Sequence, residues 1–142
     1  MVGIVSYGTY IPRYRVKLAD IARAWNKDPD EIVGSFGIEE KSVPGIDEDA
    51  VTIALEAAQS ALLSSAVSPE SIEGLFVGSE SHPYAVNPTS TIVGELLGIG
   101  NHYLAADLEF ACKAATAGIQ AVAGLVASDH IRYGLAIGAD TA

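Results

Sequence analysis

The sequence predicts an α/β layered fold in a single unit spanning residues 1–142. Three observations carry that expectation. Strand-like and helix-like patterns alternate along the chain, as in folds that lay helices on a sheet. Nearly half of the 142 residues are apolar (49%), enough to bury a core. One helix near the C-terminal end is apolar on almost every face, and such a helix is normally buried on all sides.

The first element is GIVSYGTYIP, apolar, β-branched and aromatic until Pro12, and it reads as a buried strand. VKLADIARAW, from Val16, sets Leu18, Ile21, Ala22 and Trp25 at helical spacing. DPDEI then reads as a helix start, with Pro29 in the first turn and acids at the positive end. SFGIEEKSVPG is a turn-rich connection. DEDAVTIALEAAQSALLSSA is an amphipathic helix with Asp47 or Asp49 as its cap. After Ser68-Pro69 a second strand runs from Gly74 to Ser79. A Pro-bearing loop leads to a short helix, Asn87 to Leu97, ending near Gly98; HYLAADL is a third strand. Cys112 to Ser128 is the helix of small apolar residues, and IRYGLAIGAD is a fourth strand.

Four strands barely make one sheet, so full burial of the Cys112 helix requires a covering layer from a partner subunit or a longer parent chain. The chain stops at GADTA, directly after a strand, which makes truncation before a second half the expectation.

Composition excludes several functions. The formal charge is −10, from 18 acids against 8 bases, which argues against a nucleic-acid or anionic-membrane surface. A single cysteine rules out an internal disulfide and a multi-cysteine zinc site, and a reducing, cytoplasmic setting fits it. No signal peptide or membrane span is evident. Neither GxxxxGKS nor GxGxxG occurs, so there is no nucleotide fingerprint. No metal site is expected.

The chemistry concentrates at two positions. Cys112 lies where a strand and a short turn pass into a helix. Unpaired N–H groups at a helix start favour a thiolate and could hold an oxyanion. A structural core thiol fits the same pattern, and position alone leaves both readings open. Glu80 ends a strand in VGSESHP, where open α/β sheets place ligands; it reads either as a general base or as a solvated loop acid. The remaining candidates read as ordinary residues: His82 as a loop histidine, His102 and His130 as surface groups, and Arg13, Arg15 and Lys17 as a solvated face. Asp107 either orients the loop before Cys112 or ends a strand. Lys113 either helps hold the thiolate or points to solvent.

Glu80 and Cys112 together, with the segments around them, carry a resemblance. YGTYIPRYRV, KDPDEI, VGSESHP, DLEFACKAATAGIQ and IGADTA resemble successive N-terminal stretches of 3-hydroxy-3-methylglutaryl-CoA synthases, over essentially the whole chain. Bacterial and eukaryotic members carry tyrosine after the nucleophile; Lys113 matches the archaeal branch.

The resemblance implies a thiolase-like layered αβαβα fold, of which this chain is roughly the first half. It implies Cys112 as the residue acetylated by acetyl-CoA and Glu80 as the base that deprotonates the acetyl methyl for attack on acetoacetyl-CoA. It places Asp28 and Pro29 on the substrate channel. It also implies no cofactor beyond CoA-thioester substrates, a homodimer, a complex with an acetoacetyl-CoA thiolase and a zinc-ribbon/OB-fold protein, and a catalytic histidine beyond Ala142. The alternatives are a chain-initiating ketoacyl-ACP synthase, which shares the run from Asp107 to Cys112 but has no counterpart of Glu80, and a non-catalytic thiolase-like interaction subunit.

Overall fold

The computed structural model describes residues 1–141, which form two compact units. The smaller unit is Ile11–Asp47. It holds β1 (Tyr14–Lys17), α1 (Leu18–Ala24), α2 (Pro29–Phe36) and β2 (Glu40–Val43). β1 and β2 pair antiparallel, with Tyr14 opposite Val43 and Lys17 opposite Glu40. Helix α1 therefore begins at Leu18, and Val16 belongs to a strand. Leu18 and Ala22 are buried as their spacing predicts, whereas Trp25 is three-quarters exposed and ends the helix. The stretch read as a turn-rich connection contains β2. β1 is largely exposed and β2 is half-buried along most of its length, so neither shows the alternation that betrays a strand with one buried face. The DPDEI reading holds: Pro29 opens α2, and Gly37 closes it with φ +67°.

The larger unit, Met1–Tyr10 with Glu48 onward, carries the sheet and the core. Helix α3 (Ala50–Leu63) starts at Asp49, not Asp47. The Asp49 carboxylate accepts from Thr52 N–H at 2.8 Å, and the Thr52 hydroxyl accepts from Asp49 N–H at 2.8 Å, a reciprocal capping box. After it come β3 (Gly74–Gly78), α4 (Thr89–Leu97), β4 (Leu104–Leu108), α5 (Ala114–Ala127) and β5 (Gly134–Gly138). Gly98, at φ +73°, ends α4 as the sequence predicts.

The sheet is parallel, in the order β4-β3-β5, so the first strand of the three lies at its centre. Successive side chains of a strand point to opposite faces. Leu75 and Val77 of β3 join the core with Ile53, Ala54 and Ala58 of α3 and Val93 and Leu97 of α4. Their neighbours Phe76 and Gly78 meet α5 on the other face. Helix α4 thus covers one face of the sheet and α5 the other.

Close packing explains the small residues of α5. A Cβ on Gly78 would run into the backbone of Ala114 and Ala115, and one on Gly138 would lie 2.6 Å from the Ala115 Cβ. Gly118 in turn lets the helix approach Phe76, Ala136 and Leu108. One sheet covers only one face, however. Ala114 and Gly118 are buried while Ile119 is half exposed, so α5 is not buried all round in this chain.

The expected opening strand is a second correction. Residues 1–10 form no ladder, although the sheet edges at β4 and β5 are in the same unit. Val2, Ile4, Val5 and Tyr7 are exposed rather than buried. What holds this stretch is α3: the Ser6 hydroxyl donates to the Ala61 carbonyl at 2.8 Å, and Gly8 lies so close that any Cβ would strike the helix backbone. Among the described residues no helix is long and apolar enough to cross a membrane.

Candidate active site

The connection leaving β3 runs to α4 on one face, and that leaving the adjacent β4 runs to α5 on the other. A crevice opens where neighbouring connections diverge at the carboxyl ends of parallel strands, and such crevices hold ligands in open α/β sheets. The loop carrying Glu80 leaves β3 there, and the turn carrying Cys112 leaves β4. Glu80, His82, Pro83, Tyr84, Ala85, Glu109 and Ala111 line one cavity of about 580 Å³, and Cys112 is the next residue after Ala111.

Cys112 sits in a single 3₁₀ turn, Ala111–Lys113, directly before α5. Its thiol is free and exposed in this chain. Ala111 has φ +44°, the left-handed region that a side chain rarely adopts. Such a conformation costs roughly 1–3 kcal/mol, and it turns the chain sharply between β4 and α5. Among the described residues, Lys113 at the N-terminus of α5 makes no side-chain capping bond. The positive end of this 14-residue helix therefore lies next to the thiol without a competing acceptor from that side chain. Lys113 turns its Nζ over the Phe110 ring, 4.9 Å from the centroid, an arrangement that anchors the turn through a cation–π contact.

Glu80 is exposed, and the residue before it, Ser79, is fully buried. The loop is held by a group the sequence reading missed, Asp140, just beyond β5. Its Oδ1 accepts from Glu80 N–H at 2.7 Å, from the Ser79 hydroxyl at 3.1 Å and from the Ser81 hydroxyl at 3.3 Å. Ser81 completes the link by accepting from Thr141 N–H at 2.9 Å. The only sequence signal for Asp140 was an acid at a strand end, in IGAD.

His82 lies in a loop, as its place beside Pro83 predicts, but its side chain is drawn inward and is only 5% exposed. Asp107 orients α4 rather than the cysteine turn. Its carboxylate accepts from Thr89 N–H at 2.6 Å and Ser90 N–H at 2.8 Å, capping the helix from outside.

Asp28 and Pro29 lie in the smaller unit and have a structural task there. The Asp28 carboxylate accepts from the N–H of Asp30 at 2.9 Å and of Glu31 at 3.4 Å, and Pro29 fills the first helical position. Arg15 donates to the Pro12 and Tyr14 carbonyls and pairs with Glu40 at 3.6 Å, while Arg13 lies over the Tyr14 ring, so these cations are occupied locally. His102 and His130 are exposed, as expected. Among the described residues no three His, Cys, Asp or Glu side chains gather as a metal-ligand set.

The chain is 60% identical over 141 residues to the hydroxymethylglutaryl-CoA synthase of Archaeoglobus fulgidus, and 59% identical over 142 residues to that of Methanocaldococcus jannaschii. In sequence the chain is similar to archaeal hydroxymethylglutaryl-CoA synthases over nearly all of its residues. It spans 99–100% of itself in these matches but only 41% of either relative's length. No protein-family profile matches it. Among solved structures it resembles MvaS in complex with 3-hydroxy-3-methylglutaryl coenzyme A, with a TM-score of 0.80 and 30% identity over 90% of this chain and 31% of that one. It also superposes on the 3-oxoacyl-[acyl-carrier-protein] synthase III of Aquifex aeolicus, with a TM-score of 0.88 and 23% identity over 97% of this chain and 44% of that one, a likeness of fold alone. These neighbours make the fold thiolase-like, as the resemblance to the synthases implied.

Proposed function

We propose that this chain supplies the nucleophile and the base of a hydroxymethylglutaryl-CoA synthase, a condensing acyltransferase. The observation that carries the proposal is the shared crevice: Glu80 and Ala111, the neighbour of Cys112, line one cavity at the ends of adjacent parallel strands. The identity to archaeal synthases and the MvaS complex with 3-hydroxy-3-methylglutaryl coenzyme A support the same reading.

In this proposal the Cys112 thiolate attacks the acetyl carbonyl of acetyl-CoA. Helix-start N–H groups steady the oxyanion, CoA thiolate departs, and an acetyl thioester remains. Glu80 takes a proton from the acetyl methyl, whose carbon then attacks the ketone carbonyl of acetoacetyl-CoA. The resulting alkoxide is protonated by an acid outside this chain. Water cleaves the thioester, freeing the Cys112 thiol and releasing 3-hydroxy-3-methylglutaryl-CoA for the mevalonate route to isoprenoids. The substrates are CoA thioesters, and the scheme calls on no separate cofactor. Asp28 and Pro29 serve the substrate side through the start of α2. The wider expectations belong to the same proposal: a cytoplasmic homodimer that joins an acetoacetyl-CoA thiolase and a zinc-ribbon/OB-fold protein.

Glu80 also separates this reading from a chain-initiating ketoacyl-ACP synthase, which has no need of a carboxylate base at the end of β3. The test is intact-mass spectrometry after incubation with acetyl-CoA, on this chain and on the chain extended to the length of its relatives. We expect an acetyl adduct on Cys112 in the extended chain, lost in Cys112→Ala. An extended chain that takes no acetyl group, or takes it elsewhere, would refute the assignment.

A further inference from the structure

His82 is the one imidazole drawn into the larger unit's interior, and the scheme above gives it no task. Its Nδ1 lies 2.8 Å from the Thr89 hydroxyl and 3.5 Å from Asp107 Oδ2. The carboxylate beside Nδ1 favours the tautomer with the proton there, donating to Thr89 and toward Asp107. The other nitrogen, Nε2, is buried and has no partner among the described residues; the Ser90 hydroxyl next to the same cap is the other such group. An apolar side chain of similar size would fill the space without an unsatisfied nitrogen, so packing alone does not account for a histidine here.

The connections suggest what does. The loop bearing Glu80 is tied at two points. On one side Asp140, beyond β5, accepts from the Glu80 N–H. On the other, two residues further on, the His82 ring is hydrogen-bonded to Thr89 at the start of α4, and Thr89 is in turn held by Asp107 of β4, whose carboxylate accepts its N–H. Asp107 pairs across the sheet with Val77 of β3 and precedes Cys112 by one short turn. His82 is also among the residues lining the cavity that holds Glu80.

Resting on the synthase reading above, we infer that His82 is a positioning residue: through Nδ1 it clamps the Glu80 loop to the strand that delivers Cys112. Its removal leaves formation of the thioester intact and slows the step that needs Glu80 aimed at the acetyl methyl.

The test uses the extended chain with His82→Leu, which keeps apolar volume but has no donor, and His82→Asn, whose side-chain N–H falls near the position of Nδ1. Acetylation of Cys112 is followed by quenched intact-mass measurement, and condensation by release of CoA in the presence of acetoacetyl-CoA. His82→Leu should acetylate at the wild-type rate and condense about 10-fold more slowly, the upper end of the loss expected for one neutral hydrogen bond. His82→Asn should recover most of that loss. Condensation at the wild-type rate in His82→Leu, or equal loss in both variants, would overturn the inference. Amide hydrogen exchange gives a readout independent of turnover: Glu80 and Ser81 should exchange faster in His82→Leu, while Thr89 and Ser90, held by Asp107, should not. If the wild-type protein takes no acetyl group, the synthase reading fails on its own. The exchange data then judge the clamp, and unchanged protection at Glu80 and Ser81 overturns it.

Discussion

Gly78→Ala adds one methyl group at the point where β3 meets the start of α5, and the structure sets its consequence. The new Cβ would lie 2.8 Å from the Ala114 carbonyl oxygen and closer still to the Ala114 carbonyl carbon and the Ala115 nitrogen. Non-bonded carbons rest about 3.5–4.0 Å apart, so the first turn of α5 must withdraw by roughly 1 Å. These are backbone atoms in a helix and cannot rotate aside. Gly78 lies in the central strand, paired on both sides, so it cannot yield either. The cost should fall at the upper end of the overpacking range, about 3 kcal/mol. The displaced residue follows Cys112 by two positions, and a 1 Å error in the placement of a reacting group costs about 100-fold in rate. Urea unfolding of the 142-residue chain should show the lost stability, and acetylation of Cys112 in the extended chain should show the lost rate. Gly124→Ala is the control. It lies in the same helix with nothing within 4 Å of the new Cβ, so it should stabilise by up to about 1 kcal/mol through helix propensity alone. Equal, neutral effects from the two substitutions would refute the packing of α5 on β3 described above.

Two further substitutions probe the framework. Asp140→Ala removes the shared acceptor of Glu80, Ser79 and Ser81 and should slow condensation by about 10-fold or more while acetylation continues. Asp140→Asn keeps an acceptor oxygen and should restore much of the rate, as a kinetic comparison of the two would reveal. Asp49→Ala breaks the capping box of α3 and should cost about 1 kcal/mol in urea unfolding, with no effect on the reaction.

The elements with a clear burial period were legible in the sequence. The apolar periodicity of α3, the run GLFVG of β3 and the glycine after α4 each have one local cause, and each lies where it was expected. The β1–β2 ribbon was not legible, because EKSV carries no periodic apolar face and its pairing with YRVK depends on residues far away in sequence. GIVSYGTYIP misled for the converse reason. Its composition is that of a strand, but a strand also needs a ladder partner, and none is supplied among the described residues. At the site, Cys112 and Glu80 stood out in the sequence because each stands where a strand ends, and the resemblance to the synthases supplied the roles expected of them. The burial of His82 and the reach of Asp140 to the Glu80 loop were hidden because both depend on tertiary approach, Asp140 across 60 residues.

The central claim is a division of labour between two residues of one crevice: Cys112 carries the acyl group and Glu80 moves the proton. The most direct measurement is the fate of acetyl-enzyme in Glu80→Ala of the extended chain, by intact mass before and after addition of acetoacetyl-CoA. The account expects a full acetyl adduct on Cys112 that persists when acetoacetyl-CoA is added, where the wild-type adduct is consumed. An adduct consumed as fast as in the wild type would contradict the role given to Glu80, and failure of Glu80→Ala to acetylate would contradict the separation of the two steps.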